Sequence, residues 1–164
     1  MRIPFLASQS VDEQQLILDL TRRTAEGLTD WLARYPIVRA ARVWPVALSV
    51  SAAAPLTSDR GIMAATKLGL WIFALDDVFD EELIPESMLL RRAESYQELI
   101  GGQRPRRETD DDMSTALRDI RRDLEEFPVF SLLQDEFSAS FCRMVEGMLN
   151  EYRWRMIRRG GESN

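Results

Sequence analysis

Apolar residues recur every three or four positions along most of this chain, which is the spacing of an amphipathic α-helix. The first such segment opens at Asp12 and should end before Pro36. A shorter helix is predicted at about 45–53, with Pro45 in its first turn, where a backbone N–H is not needed. No stretch alternates between apolar and polar residues for long enough to predict a strand. The pattern therefore predicts an all-α fold.

The middle of the chain is its most apolar part. Thr57-Ser58-Asp59 is a good N-cap cluster, and the helix that follows is apolar on nearly every side from Leu68 to Leu75. A helix that is apolar all round is expected to be central. The next helix begins at Pro85 and ends at Gly101-Gly102, because glycine accepts the left-handed conformation that follows a last helical turn.

Two further helices are predicted beyond a polar connector at about 101–112. One precedes Pro128, and a longer one precedes Gly160-Gly161. The apolar stripe of the longer helix consists of Leu133, Phe137, Phe141, Met144, Met148 and Tyr152. We expect residues 1–164 to form a single α-helical domain.

Two charged clusters fit ordinary helix ends. Asp110-Asp111-Asp112 precedes a helix, where carboxylates are favourable as caps. A basic cluster ends the last helix and suits the negative end of its dipole, so we predict no ligand for it. This basic cluster consists of Trp154, Arg155, Arg158 and Arg159.

Composition narrows the possible chemistry. The chain has 164 residues, 45% of them hydrophobic, and a net charge of −6, which argues against binding to a nucleic-acid backbone. Histidine is absent, which excludes Ser-His-Asp and Cys-His catalysis and histidine-ligated zinc. Cys142 is the only cysteine, so no internal disulfide can form. With no apolar run long enough to span a membrane and no secretory segment, we expect a cytoplasmic protein.

An acidic turn closes the central helix. On a helix Asp76 aligns with Asp80, and Asp77 aligns with Glu81, because side chains four apart share a face. Like charges at this spacing destabilise a helix by a few tenths of a kcal/mol per pair, so a cation should compensate them. Magnesium fits best, since it commonly joins one or two carboxylates to substrate phosphates.

An apolar wall is predicted beside these acids. Gly69, Ile72 and Phe73 lie one and two turns before Asp76 on roughly the same face. A charged mouth with an apolar interior suits a prenyl diphosphate, whose head needs cations and whose tail needs a dry enclosure. Phe73 is the first candidate to stabilise a carbocation through its ring face. The opposite wall has two candidates, which are Phe141 and Met144.

The run Leu70-Trp71-Ile72-Phe73-Ala74-Leu75-Asp76-Asp77-Val78-Phe79-Asp80-Glu81 resembles the aspartate-rich motif of bacterial class I terpene synthases. In that family an apolar, aromatic helix runs into DDxxD or DDxxDE. The resemblance implies an antiparallel helical bundle of the isoprenoid synthase type. It also implies three magnesium ions and a C15 or C20 prenyl diphosphate, which is ionised to an allylic cation and cyclised.

The resemblance assigns roles to single residues. It implies Asp76 as the direct metal ligand, with Asp80 and Asp77 as supporting acids, and it places Phe73 in the cavity wall. Glu81 matches a less constant acidic position after the motif and is a further supporting acid. These assignments describe a carbon–oxygen lyase acting on phosphates.

One part of the family pattern has no match in this sequence. The second metal motif, N-D-x-x-S-x-x-x-E, is absent, as are the diphosphate-sensing arginine and the C-terminal arginine-tyrosine pair. The resemblance therefore implies the N-terminal half of the fold, and we expect this chain to be inactive alone. A missing C-terminal half or self-association would cover its apolar faces. Two alternatives are a prenyltransferase like the isoprenyl diphosphate synthases and a non-catalytic helical interaction module.

Overall fold

The computed structural model describes residues 9–80, 84–105 and 111–161, with side chains as far as Arg158. Every regular element in these ranges is helical, which confirms the predicted all-α fold. No helix in them is both long enough and apolar enough to cross a bilayer. The α-helices are α1 Val11–Gly27, α2 Thr29–Arg34, α3 Val43–Ala53, α4 Asp59–Asp80, α5 Glu86–Ile100, α6 Asp112–Glu125 and α7 Phe130–Gly161.

The first predicted helix is two helices, α1 and α2. Helix α1 begins with a capping box, in which the Ser10 hydroxyl accepts from the Glu13 N–H at 3.2 Å and the Glu13 carboxylate accepts from the Ser10 N–H at 2.8 Å. Leu28 separates the two helices, with φ −83° and ψ −7°. It is fully buried and directly follows Gly27, a poor helix former at the last position of α1.

The N-terminus of α4 follows the predicted cap cluster. The Ser58 hydroxyl accepts from the Gly61 N–H at 3.2 Å, which satisfies one of the free donors of the first turn. Asp59, the first helical residue, forms an ion pair with Arg23 of α1, at 2.7 Å between Nε and Oδ2. The cap therefore determines where α4 begins, and the ion pair connects that end to α1.

Residues 1–72 form one compact unit. Helix α1 packs on α3, where Ile17 and Leu48 are buried against each other. Helix α4 comes very close to α3 at Gly69, because a Cβ atom built there would lie 3.0 Å from Val46 Cγ1. The absence of a side chain at Gly69 thus allows α3 and α4 to approach this closely.

Residues 73–164 form a second unit, into which α4 continues. Helix α5 packs against both α6 and α7. Helix α6 begins at the acidic cluster as predicted, since Asp111 Oδ1 accepts from the Ser114 N–H at 2.6 Å; Asp110 lies outside the described residues. The core of this unit includes Leu89, Ala93, Tyr96, Leu99, Ile100, Met113, Leu117, Ile120, Val145 and Leu149.

Helix α5 ends at Gly101-Gly102, as predicted. Gly102 has φ +76°, and the Gln103 N–H donates back to the Glu98 carbonyl at 2.9 Å. Arg121 of α6 covers this turn and donates to the carbonyl oxygen of Ile100. A Cβ atom at Gly102 would lie 2.6 Å from Arg121 Nη2. The positive φ therefore favours glycine, and a larger residue would also displace the end of the Arg121 side chain.

Candidate metal centre

Helix α4 has one buried face and one exposed face. The buried face consists of Leu70, Trp71, Ala74, Leu75, Val78 and Phe79. On the other face Phe73 is 45% exposed, Ile72 is half-buried, and Asp76 and Asp80 are exposed. Within the run from Leu68 to Leu75, which the sequence predicts to be central, Phe73 is exposed, and its stripe leads from apolar side chains directly to carboxylates.

The last turns of α4 concentrate negative charge. Acids at a helix C-terminus oppose the helix dipole, so Asp76, Asp77 and Asp80 gain nothing from their own helix. Burial raises the pKa of the Asp76 carboxyl, and the nearby charges of Asp80, Glu151 and Asp77 raise it further, against a smaller opposing effect of Arg155. The environment of Asp76 therefore favours a proton or another cation.

Arg155 of α7 is the direct partner of Asp80. Its Nη1 donates to Asp80 Oδ1 in a very short contact, and this hydrogen bond is the main reason that the pKa of Arg155 is raised. The Nε atom of Arg155 is buried and has no hydrogen-bond partner in the described part of the chain. The basic end of α7 suggests only a favourable helix dipole, and no sequence signal connects Arg155 to an acid 75 residues away.

One turn of α7 contacts the chain on both sides of residues 81–83. Arg155 binds Asp80 on one side. On the other side the buried Tyr152 donates through its hydroxyl to the Ile84 carbonyl at 3.4 Å, and Arg153 Nε donates to the Glu86 carboxylate at 2.8 Å. Glu81, the predicted supporting acid, lies outside the described residues. Helix α7 therefore holds Asp80 on one side of residues 81–83 and the start of α5 on the other.

The carboxylates suit a metal that is shared with a ligand. Within the described ranges, no group of three or more histidine, cysteine, aspartate or glutamate side chains is arranged to hold a metal by itself. Magnesium needs no such group, because it commonly takes one or two carboxylates and completes its octahedron with water and phosphate oxygens. Asp76 and Asp80, one helical turn apart and both exposed, provide that kind of donor set.

The predicted cavity residues have different environments. Phe73 and Ile72 share the exposed stripe of α4 with Asp76. Gly69, on the same helix, is the point of close approach to α3. On α7, Phe141 is buried at 5% exposure and Met144 is half-buried. The cavity role of these five residues stays a prediction.

A comparison with family models bears directly on this site. The family described as "Terpene synthase family 2, C-terminal metal binding" matches residues 67–159, which is more than half of the chain. The chain belongs to the terpene synthase family. A comparison with curated proteins finds no match.

Membership of the terpene synthase family confirms the resemblance that residues 70–81 carry. The matched range contains the acidic end of α4 and the turn of α7 that contacts it. The family description names metal binding, which agrees with the cation-favouring environment of Asp76. Terpene synthase function, in this general sense, follows from the family.

Proposed function

We propose that this chain contributes the aspartate-rich metal site of a class I terpene synthase, which acts on a C15 or C20 prenyl diphosphate. Asp76 is the principal magnesium ligand, and Asp80 and Asp77 support it as further carboxylates of the metal site. The observation that carries this proposal is the exposed stripe of α4, where Phe73 at 45% exposure adjoins Asp76 and Asp80. An apolar side chain that directly adjoins two carboxylates suits a substrate with a hydrocarbon tail and a diphosphate head.

Different side chains serve the diphosphate head and the hydrocarbon tail of the substrate. Bound magnesium would supply the positive charge that stabilises diphosphate as a leaving group. Asp76 and Asp80 orient that charge at the end of α4. Phe73 offers a ring face, which attracts a carbocation within about 6 Å, and Ile72 excludes water from the cation next to it. No histidine is required, in agreement with the composition.

Calorimetric binding of Mg²⁺ together with inorganic diphosphate tests the metal site. The wild-type chain should bind both, and Asp76→Ala should abolish this binding because it removes the principal ligand. Asp135→Ala is a matched control, since it removes an exposed acid from α7 outside the motif and should leave binding unchanged. Failure of the wild type to bind, or equal binding by Asp76→Ala, would overturn the proposal.

Incubation with C10, C15 and C20 prenyl diphosphates tests the chemistry and the chain length. In a protein that also carries the motif N-D-x-x-S-x-x-x-E, magnesium-dependent diphosphate release with a cyclised hydrocarbon product is the expected activity, and Asp76→Ala should remove it. Because the motif N-D-x-x-S-x-x-x-E has no match in these 164 residues, we expect binding without turnover from this chain alone. A wild type that turns over and an Asp76→Ala variant that does so equally fast would refute the assignment of Asp76.

A further inference from the structure

Arg155 occupies one of the two carboxylate oxygens through which Asp80 can bind a metal. Its Nη1 atom donates to Asp80 Oδ1, and Asp76 and Glu151 are close enough to interact electrostatically with the same guanidinium. The side chains of Arg155 and Asp80 are 40% and 51% exposed. An ion pair this exposed is weak, so a divalent cation can compete with it.

The Arg155 guanidinium also has a second acidic residue near it, on its own helix. Glu151 lies four residues before Arg155 on α7, and glutamate followed by a basic residue at this spacing is the favourable order for a helical ion pair. Glu151, Trp154, Arg155 and Arg158 line an open pocket of about 410 Å³. Glu151 is therefore an acidic partner on the same helix for an Arg155 side chain that leaves Asp80.

We propose that Arg155 is an exchangeable counter-ion of the metal site: it holds Asp80 while no metal is bound and moves to Glu151 when a divalent cation takes Asp76 and Asp80. This inference rests on the proposed function. Arg155 is thus a positioning residue that keeps the Asp80 carboxylate in place and compensates its charge. It lowers the affinity of the site for the metal, because the guanidinium competes with the metal for the Asp80 carboxylate.

Calorimetric binding of Mn²⁺ to the full chain tests the exchange. Arg155→Gln removes the competitor and should tighten binding by about two- to fivefold, which is the equivalent of one exposed ion pair. Arg155→Lys keeps the positive charge and should stay near the wild type. Arg153→Gln is the matched control, since it removes the same charge from the same helix but pairs with Glu86. It should leave the affinity unchanged.

A double-mutant cycle connects the effect to Asp80. In an Asp80→Asn background, Arg155→Gln should give a smaller gain in Mn²⁺ affinity, because the ion pair is already gone. If Arg155→Gln does not fold, Arg155→Met is used in its place, because methionine keeps the aliphatic part of the side chain without the charge. A purely structural role for Arg155 predicts the opposite sign, a loss of affinity in both variants.

The measurements distinguish a failure of the Arg155 exchange from a failure of the metal site itself. If the wild type binds Mn²⁺ and the Arg155→Gln and Arg155→Met variants bind it no more tightly, the exchange is refuted and the metal site stands. If Arg153→Gln tightens binding as much as Arg155→Gln, net charge explains the effect and the exchange is again refuted. If the wild type and all variants bind no Mn²⁺, the proposed function fails and this inference fails with it.

Discussion

Replacing Asp76 with asparagine should make the metal-free chain more stable. Burial and the neighbouring acids raise the pKa of Asp76, so the folded chain binds this proton more strongly than the unfolded chain does. That contribution to stability is fully present below the ordinary pKa of aspartate and is lost as the pH rises through the raised pKa. At neutral pH the ionised Asp76 therefore destabilises the fold, and Asp76→Asn removes this effect while keeping the shape of the side chain.

The size of the gain follows from the charges around Asp76. Asp80 lies one helical turn away, and a like-charge pair at that spacing costs a few tenths of a kcal/mol. Burial and the charge of Glu151 on α7 raise the pKa of Asp76 in the same direction. The pair with Asp80 alone gives about 0.2–0.5 kcal/mol, which corresponds to a rise in Tm of about 0.5–2 °C for a domain of this size.

Asp80→Asn is the matched comparison within the same motif. Asp80 has the same neighbour in Asp76 but is paired with Arg155. Its replacement relieves the repulsion and loses the ion pair, and the two effects are of similar size. We expect no gain in Tm from Asp80→Asn. The two substitutions remove the same charge, so a difference between them reports the local environment rather than the net charge.

Thermal unfolding followed by circular dichroism, first with EDTA and then with Mg²⁺, measures both effects. At ten times its Kd the metal should stabilise the wild type by about 1.4 kcal/mol, or about 3–6 °C, and should not stabilise Asp76→Asn. The advantage of Asp76→Asn in EDTA should shrink as the pH falls towards the pKa of Asp76. An Asp76→Asn chain that melts at or below the Tm of the wild type in EDTA would refute the reasoning.

Three further predictions concern local structure and are measured by urea unfolding. Gly102→Ala should destabilise the chain by about 2–3 kcal/mol, because alanine is strained at positive φ and its methyl group displaces Arg121. Gly147→Ala, in the middle of α7 with nothing within 4 Å of its added methyl group, should instead stabilise by about 1 kcal/mol; the same sign for both would contradict this account. Ser10→Ala should cost about 1 kcal/mol through loss of the capping box with Glu13, and an unchanged midpoint would show that the cap does not contribute.

Local features of the fold follow from residues that are close in sequence. The caps at Ser58 and Asp111 and the end of α5 at Gly101-Gly102 were predicted, because each depends on a few neighbouring backbone groups. The capping box at Ser10 follows an equally local rule and was missed. The break at Leu28 was also missed, although Gly27 directly before it is a local signal.

The candidate site also has one part that the sequence predicts and one part that it does not. The sequence by itself determined that Phe73, Asp76 and Asp80 share one face of a helix, because helical periodicity depends only on spacing. It did not determine which face of α4 is buried, since that depends on the elements that pack against it.

Only the tertiary structure decided which charges meet. Arg155 pairs with Asp80 across 75 residues, and Glu151 raises the pKa of Asp76, because α7 brings both side chains to the end of α4. Electrostatic interaction depends on distance through space and on exclusion of water, and neither can be calculated from spacing along the chain. The sequence thus determined the acids of the site, and the packing of α7 determined their partners.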